Sequence, residues 1–256
     1  MTEQYPINMH VFHDALSGLL DIVKDTQTEN IEKAGKLCAE AIAKGGVIQV
    51  FGSGHSVGFG YEMRDRAGNL VPVHSMMMDD FTIKGIYDSE ELRKQGVILE
   101  RMPDIADKLY NLYVTDPNDV FIVISNSGIN GVGIDLAQYA KDTNHKVIVI
   151  TSMKHTLAED SRHPSGKKLY QLGDIVIDNC GPRGDALLET GRLEKVCSVS
   201  SITGAVIAQS ISLETARQLA AMGIEPPVLW GPEKEGWQQH NEELRAKYAG
   251  RLNTYL

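Results

Sequence analysis

Two short stretches concentrate small polar side chains suited to gripping an anion. Gly52-Ser53-Gly54-His55-Ser56 follows the apolar run VIQVF, and Ser125-Asn126-Ser127-Gly128-Ile129-Asn130 follows VFIVI. Serine hydroxyls and asparagine amides donate hydrogen bonds. Glycine lets the backbone approach closely or take positive φ. A helix that starts straight after such a loop adds unpaired N–H groups and a partial positive charge, both favourable to phosphate. The candidate anion-binding residues are therefore Ser53, Gly54, Ser56, Ser125, Asn126, Ser127, Gly128 and Asn130. The same residue types also build ordinary strand-to-helix turns and N-caps. One such loop alone reads as a turn; two, on strands expected to be neighbours, point to a ligand site.

Acid–base groups stand close to these loops. Glu62 falls on the helix expected to begin at the first loop, seven residues after His55. That spacing puts the two on one helix face, about 10 Å apart along the axis. A carboxylate and an imidazole are a usual pair for moving a proton between carbons and opening a ring. Glu62 is the candidate base, with a solvated partner of Arg66 one turn later as the alternative. His55 is either a cleft-facing acid or a hydrogen-bonded turn residue. His163, in SRHPSGKK, is a third candidate, placed to reach this cleft or a neighbour's. Arg162 and Lys167 of the same segment are suited to an acidic substrate group, and an exposed surface loop is an equal reading. Asp185, in GPRGDA, either orders the site or caps a helix, and the cap is favoured.

The elements that must position these groups follow from the patterning. VIQVF (47–51), LVPVH (70–74), VFIVIS (120–125), KVIVITS (146–152) and DIVID (174–178) are β-rich runs separated by helical patterns. Strands alternating with helices make a parallel, doubly wound sheet. Continuous apolar runs suit strands covered on both faces. In such a sheet ligands sit beyond the C-terminal strand ends, where both loops fall.

Met9, Phe12, Leu16, Leu19, Leu20 and Val23 recur at helical spacing, and a second helix is expected from Thr28, as N-cap, to Lys44. A long Ser/Ala-rich helix is expected from about Glu194 to Met222. Its stripe of Val196, Val199, Ile202, Val206, Ser210 and Leu213 belongs to the core or to a subunit interface. Residues 76–112 are expected to hold a lid, an insertion or an irregular helix. The division expected is a helical extension at 1–46, the α/β domain at 47–222 and a tail with a helix at 223–256, all treated as one domain.

Composition narrows the function classes. A 42% hydrophobic and 23% charged chain is that of a soluble globular protein. A formal net charge of −9 argues against general nucleic-acid binding. Cys38, Cys180 and Cys197 show no paired or CxxC spacing and read as thiols of a reducing compartment. The N-terminus lacks a basic-then-apolar signal pattern, and no apolar run approaches the roughly 20 residues of a membrane span. The expected location is the cytoplasm.

Other motifs are weaker. Gly52, Gly54 and Gly58 give GxGxxxG, without the GxGxxG spacing or an acidic end to the second strand, so a nicotinamide-dependent oxidoreductase is a remote option. Ser165-Gly166-Lys167-Lys168 lacks the upstream glycine and following Ser/Thr of a P-loop. The eight histidines are scattered; only His10 and His13 share a helical face, as surface or packing residues rather than metal ligands.

Taken together, the two loops resemble the SIS (sugar isomerase) domain family, whose pattern is GxGxS after the first strand and SxSGxT after the third. The resemblance covers roughly Val47 to Asp178. GSGHS…RAG and SRHPSGKKL…DIVIDNCGPRGDA resemble a bacterial group of single-SIS-domain proteins, related to the phosphoheptose isomerase type. It implies a flavodoxin-like five-stranded parallel sheet, phosphosugar binding and a homodimer or homotetramer with shared sites. Ser56, Ser125 and Ser127 match phosphate-binding positions, and Glu62 matches the catalytic Glu of several SIS isomerases. Asn130 stands where the family carries Thr; its amide can still donate to phosphate. The implied activity is aldose–ketose isomerisation of a sugar phosphate through an enediol, with Glu62 as base, His55 or His163 as ring-opening acid, and neither cofactor nor metal. Two alternatives stay open: a phosphosugar lyase or etherase using the same base, and a regulatory module that senses a sugar phosphate without chemistry.

Overall fold

A computed structural model describes residues 7–102, 104–191 and 194–252. The chain runs α1 (Met9–Ala43), β1 (Ile48–Gly52), α2 (Val57–Met63), β2 (Val73–Met76), α3 (Asp80–Ile83), α4 (Ser89–Lys94), α5 (Ile105–Asn111) and β3 (Val120–Ile124). It continues through α6 (Gly131–Asp142), β4 (Lys146–Thr151), α7 (Met153–Ala158), β5 (Ile175–Asp178), β6 (Ala186–Glu189), β7 (Lys195–Ser198), α8 (Ser200–Ala221) and α9 (Trp237–Ala246).

The first five strands form one parallel sheet in the order β2-β1-β3-β4-β5. This is the flavodoxin-like order, and it reverses direction between β1 and β3. Every residue of β1 and β3 is buried, as their Val/Ile-rich runs require of strands covered on both sides. On one face Ile48, Val50, Ile122 and Ile148 pack with Phe59 of α2, Ile42 of α1 and Ile207 and Ile211 of α8. On the other, Phe51, Phe121, Val123 and Val149 pack with Leu109 of α5 and Ile134 and Leu136 of α6.

Several boundaries differ from those expected. The N-terminal region is one helix of 35 residues, not two. Thr28 does not cap a second helix; its hydroxyl donates back to the Lys24 carbonyl, and that of Thr26 to Ile22, one turn earlier in each case. With no proline between them, the two amphipathic stretches fuse. The second strand starts at Val73, because Pro72 cannot donate to a ladder; Leu70 instead forms an antiparallel bridge with Val228. Helix α8 starts at Ser200, and the residues expected to open it form β7, paired antiparallel with β6. The 76–112 segment holds the short helices α3, α4 and α5, and Phe81, Ile105 and Leu109 anchor it in the core. Irregular helix is what its described residues form.

The stripe expected on α8 also divides. Its buried face is Thr203, Gly204, Ile207, Ala208, Ile211, Ser212, Thr215 and Leu219. Val206 is 40% exposed and Leu213 67%.

Candidate functional site

Both serine loops leave the C-terminal ends of adjacent strands, β1 and β3, at the reversal of strand order. The first makes a 3-10 turn over Gly54–Ser56 and runs directly into α2. The second ends at Asn130, the N-cap position of α6.

The second loop is held from behind through its carbonyls. Thr151 and Thr156 donate to the Asn126 and Ser127 carbonyls at 3.3 and 2.8 Å. The amides of Ser152, Leu169 and Arg162 donate to the carbonyls of Asn126, Gly128 and Ile129. With the acceptors turned away, donors are left on the open side. Gly128 makes this possible: its φ is +63°, and a Cβ there would stand 2.7 and 2.8 Å from the hydroxyls of Thr156 and Thr151. The Gly128 amide folds back to the Ser125 hydroxyl at 3.2 Å, leaving that hydroxyl's own hydrogen to point elsewhere.

These loops line a cavity of about 320 Å³ with Ser53, His55, Ser56, Ser125, Asn126, Ser127 and Asn130. Its far wall is Asp185, Ser198, Ser200 and Ser201 at the start of α8. It narrows downward between Phe59, Ile124 and Gly204. The N-termini of α6 and α8 thus face one space. Within the described residues, the hydroxyls of Ser53, Ser56, Ser127 and Ser201 make no hydrogen bond to protein. The Asn126 carbonyl oxygen Oδ1 accepts from Asn179, which leaves Nδ2 as a further donor. No Lys or Arg lines this cavity; His55 and Asp185 are its only ionisable residues among those described. A dianion here would be held by neutral hydroxyls, amides and helix ends.

Asp185 plays the part of a cap. One oxygen accepts from the amides of Val199 and Ser200 at 3.1 and 2.7 Å, and the other from the Ser200 hydroxyl at 2.8 Å. Ser198, Ser200 and Ser201 were not among the residues expected at the site, because the helix start was placed at about 194. The serine cluster SVSS was the available signal: small hydroxyl residues mark an N-terminus, not a helix interior.

The three acid–base candidates are not brought together. His55 lines the cradle and is exposed, and its imidazole makes no hydrogen bond to the described residues. Glu62 lies on α2 outside the cavity lining and pairs with Arg66 at 3.2 Å, as the alternative for it foresaw. The Glu62 carbonyl also accepts from Gln209 of α8. His163 lines a different cavity, of about 820 Å³, beside the start of α6. There Nε2 donates to Asp135 at 2.8 Å and Nδ1 faces the Ser165 hydroxyl at 2.6 Å. Arg162 donates to Asn130 Oδ1 at 3.1 Å, and Lys167 to Gln138. Among the described residues no group of three or more His, Cys, Asp or Glu side chains could hold a metal ion.

A parallel sheet with two serine loops at its reversal and helix ends aimed between them defines a class. Residues 11–152 match the SIS domain model, and the chain belongs to the SIS-domain family. Within that class it is similar to UPF0309 proteins. It is 36% identical over 242 residues to UPF0309 protein lmo0025 of Listeria monocytogenes, covering 94% of this chain and 97% of that one. It is also 36% identical over 234 residues to UPF0309 protein GK1441 of Geobacillus kaustophilus, covering 91% of each. The fold is similar to that of a phosphoheptose isomerase from Francisella tularensis (TM-score 0.53, 18% identity, 85% of this chain and 100% of that one). A phosphoheptose isomerase from Neisseria gonorrhoeae is comparable (TM-score 0.50, 14% identity, 82% and 95%). The family match begins inside α1, so the N-terminal helix is part of what the family shares.

Proposed function

We propose that the chain binds a sugar phosphate in the serine cradle and interconverts its aldose and ketose forms through an enediol. The observation that carries this is the convergence of uncommitted donors. Ser53, Ser56, Ser127, Ser201 and Asn126 Nδ2 face one small cavity together with the N-termini of α6 and α8. Such donors with no internal partner are what a phosphate requires. Ser125 and Asn130 line the same cavity, and Gly54 and Gly128, both at positive φ, bend the loops that carry it.

In this reading His55 is the ring-opening acid, because it alone of the two histidine candidates lines the cradle. Glu62 is the base. Its partner Arg66 has a side chain 67% exposed, and exposed pairs contribute about 0–1 kcal/mol, so release of the carboxylate costs little. The assembly we propose is a homodimer or homotetramer. The exposed Val206–Leu213 face of α8 adjoins Glu62 through Gln209, so a second copy seated there would also cover the proposed base. The chain's free cysteines, Cys38, Cys180 and Cys197, suit a reducing cytoplasm. No helix among the described residues is long and apolar enough to cross a membrane.

The test is exchange of the carbon-bound proton in D₂O with a panel of pentose, hexose and heptose phosphates. The proton beside the carbonyl is expected to wash out with at least one of them. Glu62→Gln keeps the shape and removes the base, so exchange should fall roughly 10²-fold while binding persists. A second reading has a specific observation behind it: Glu62 does not line the cradle. A module that binds a sugar phosphate without proton transfer would show calorimetric binding and no exchange in the unsubstituted protein, which refutes the isomerase and leaves the cradle.

A further inference from the structure

The cradle occupies only the smaller of two spaces that meet at the start of α6. Asn130 lines both the 320 Å³ cradle and the 820 Å³ cavity that holds His163. Ligand cavities run from about 300 to 1,000 Å³. The cradle is thus at the small end of that range, enough for one phosphorylated ring, while its neighbour is near the large end. Asn130 is the residue common to both linings; the Arg162 guanidinium, part of the larger cavity, donates to its Oδ1 at 3.1 Å, and the Arg162 amide is tied to the Ile129 carbonyl at 3.0 Å.

The lining of the larger cavity selects a chemistry. Ile98, Val132 and Pro164 give it apolar ground. Around that ground stand acceptors, the carboxylates of Glu100, Asp104 and Asp135, and donors, the guanidinium groups of Arg101 and Arg162. Hydrogen-bond donors and acceptors of both charges, mixed with apolar patches, suit a neutral polyhydroxylated ring, whose hydroxyls both donate and accept and whose C–H faces are apolar. A second phosphate or carboxylate would meet carboxylates with no net positive field. The Asp135–His163 pair fixes one side of the wall, since the imidazole is held at both nitrogens.

Resting on the phosphosugar reading above, we propose that this second cavity is a glycosyl subsite. The substrate class is then a phosphorylated disaccharide, or a sugar phosphate bearing a second neutral ring, with its phosphate in the serine cradle and its distal ring beside Asp135 and Ile98.

Isothermal titration with glucose 6-phosphate, inorganic phosphate, and maltose and cellobiose phosphorylated at C6 of the reducing ring, whose free anomeric carbon the isomerase reading requires, tests this. At least one disaccharide phosphate is expected to bind ten times tighter than glucose 6-phosphate. In Ile98→Trp, which fills the cavity from an exposed position, and in Asp135→Asn, the ratio of the two affinities should fall toward one. Because the ratio is taken within each variant, the unsubstituted protein already decides the matter if a variant folds poorly. Glucose 6-phosphate and phosphate that bind, with no gain for either disaccharide phosphate, overturn the glycosyl subsite and leave the phosphosugar reading intact. A gain that survives both substitutions also overturns it. Failure of phosphate and of every sugar phosphate to bind overturns both.

Discussion

At the scale of single residues, the cradle depends on hydroxyls that have been given nothing else to do. Ser127 has no protein partner for its hydroxyl within the described residues, while Ser125 accepts the Gly128 amide and has its own hydrogen uncommitted there. A hydrogen bond to a charged group is worth about 1.5–3 kcal/mol, and about 1.4 kcal/mol is a factor of ten in affinity. The double variant Ser125→Ala, Ser127→Ala is therefore expected to bind a sugar phosphate at least tenfold more weakly, and calorimetric affinity equal to that of the parent would refute the assignment. These serines, with Ser53, Ser56 and His55, were legible in the sequence because each follows an apolar β-rich run and precedes a helical pattern. Ser198, Ser200 and Ser201 were not. They lie about 70 residues further on in sequence, and only the fold shows that α8 starts against the same cavity. Asp185 was legible as a cap, but the identity of the amides it caps was not.

At the scale of elements, periodicity located strands and helices better than it located their ends. β1, β3, β4 and β5 fall within a residue or two of their apolar runs because buried parallel strands have few other ways to read. The β6–β7 pair escaped notice because ALLETG and KVCS are short and partly exposed, and a four-residue run carries little period-2 signal. In α1 the threonines at 26 and 28 looked like a boundary; both bond back to the preceding turn and the helix passes through.

Helices α1 and α8 pack closely, since a Cβ on Gly35 would stand 2.9 Å from the carbonyl carbon of Glu214. Cys38 lies wholly inside that seam, where burial pushes its thiol up to about 12. Among the described residues the opposite side of α8 has no such cover. Val206 and Leu213, with Ala205 beside the first and Ser210 between the two, form an apolar strip on an otherwise acidic molecule. A second copy is the proposed cover, so Leu213→Glu should shift the mass found by light scattering at micromolar concentration from oligomer to monomer. A parent protein that is already monomeric would rule the interface out.

On the scale of the whole molecule, the two ends of the sheet divide their labour. The C-terminal strand ends carry the proposed cradle, where several donors have no protein partner among the described residues. The N-terminal ends carry polar groups that are fully satisfied by the chain itself. Asp119, just before β3, has a side chain with no exposure. It accepts the Val47 amide at 2.8 Å and Gln49 Nε2 at 2.9 Å, and Gln49 in turn meets His74 of β2 at 2.7 Å. The Asp116 amide donates to Asp119 at 3.1 Å, and a further partner comes from the far end of the chain: Arg251 Nη2 reaches both Asp119 oxygens at 2.6 and 2.7 Å, with its own side chain 18% exposed. The last described turn is thus pinned to the start of the central strands.

Removing one member of a buried pair leaves the other desolvated and uncompensated, at a cost of about 3–5 kcal/mol. Arg251→Ala is therefore expected to lower the urea midpoint by the equivalent of roughly that amount. Sugar-phosphate affinity of the remaining folded protein should stay unchanged, because the ion pair and the cradle lie at opposite ends of the sheet. Asp119→Asn keeps the shape but only one side-chain oxygen, so it can accept from Val47 or from Gln49 and not from both, and it should destabilise less than Asp119→Ala, which accepts from neither. A change below about 1 kcal/mol for Arg251→Ala would mean that the pair behaves as a surface salt bridge and that the C-terminal turn does not brace the sheet.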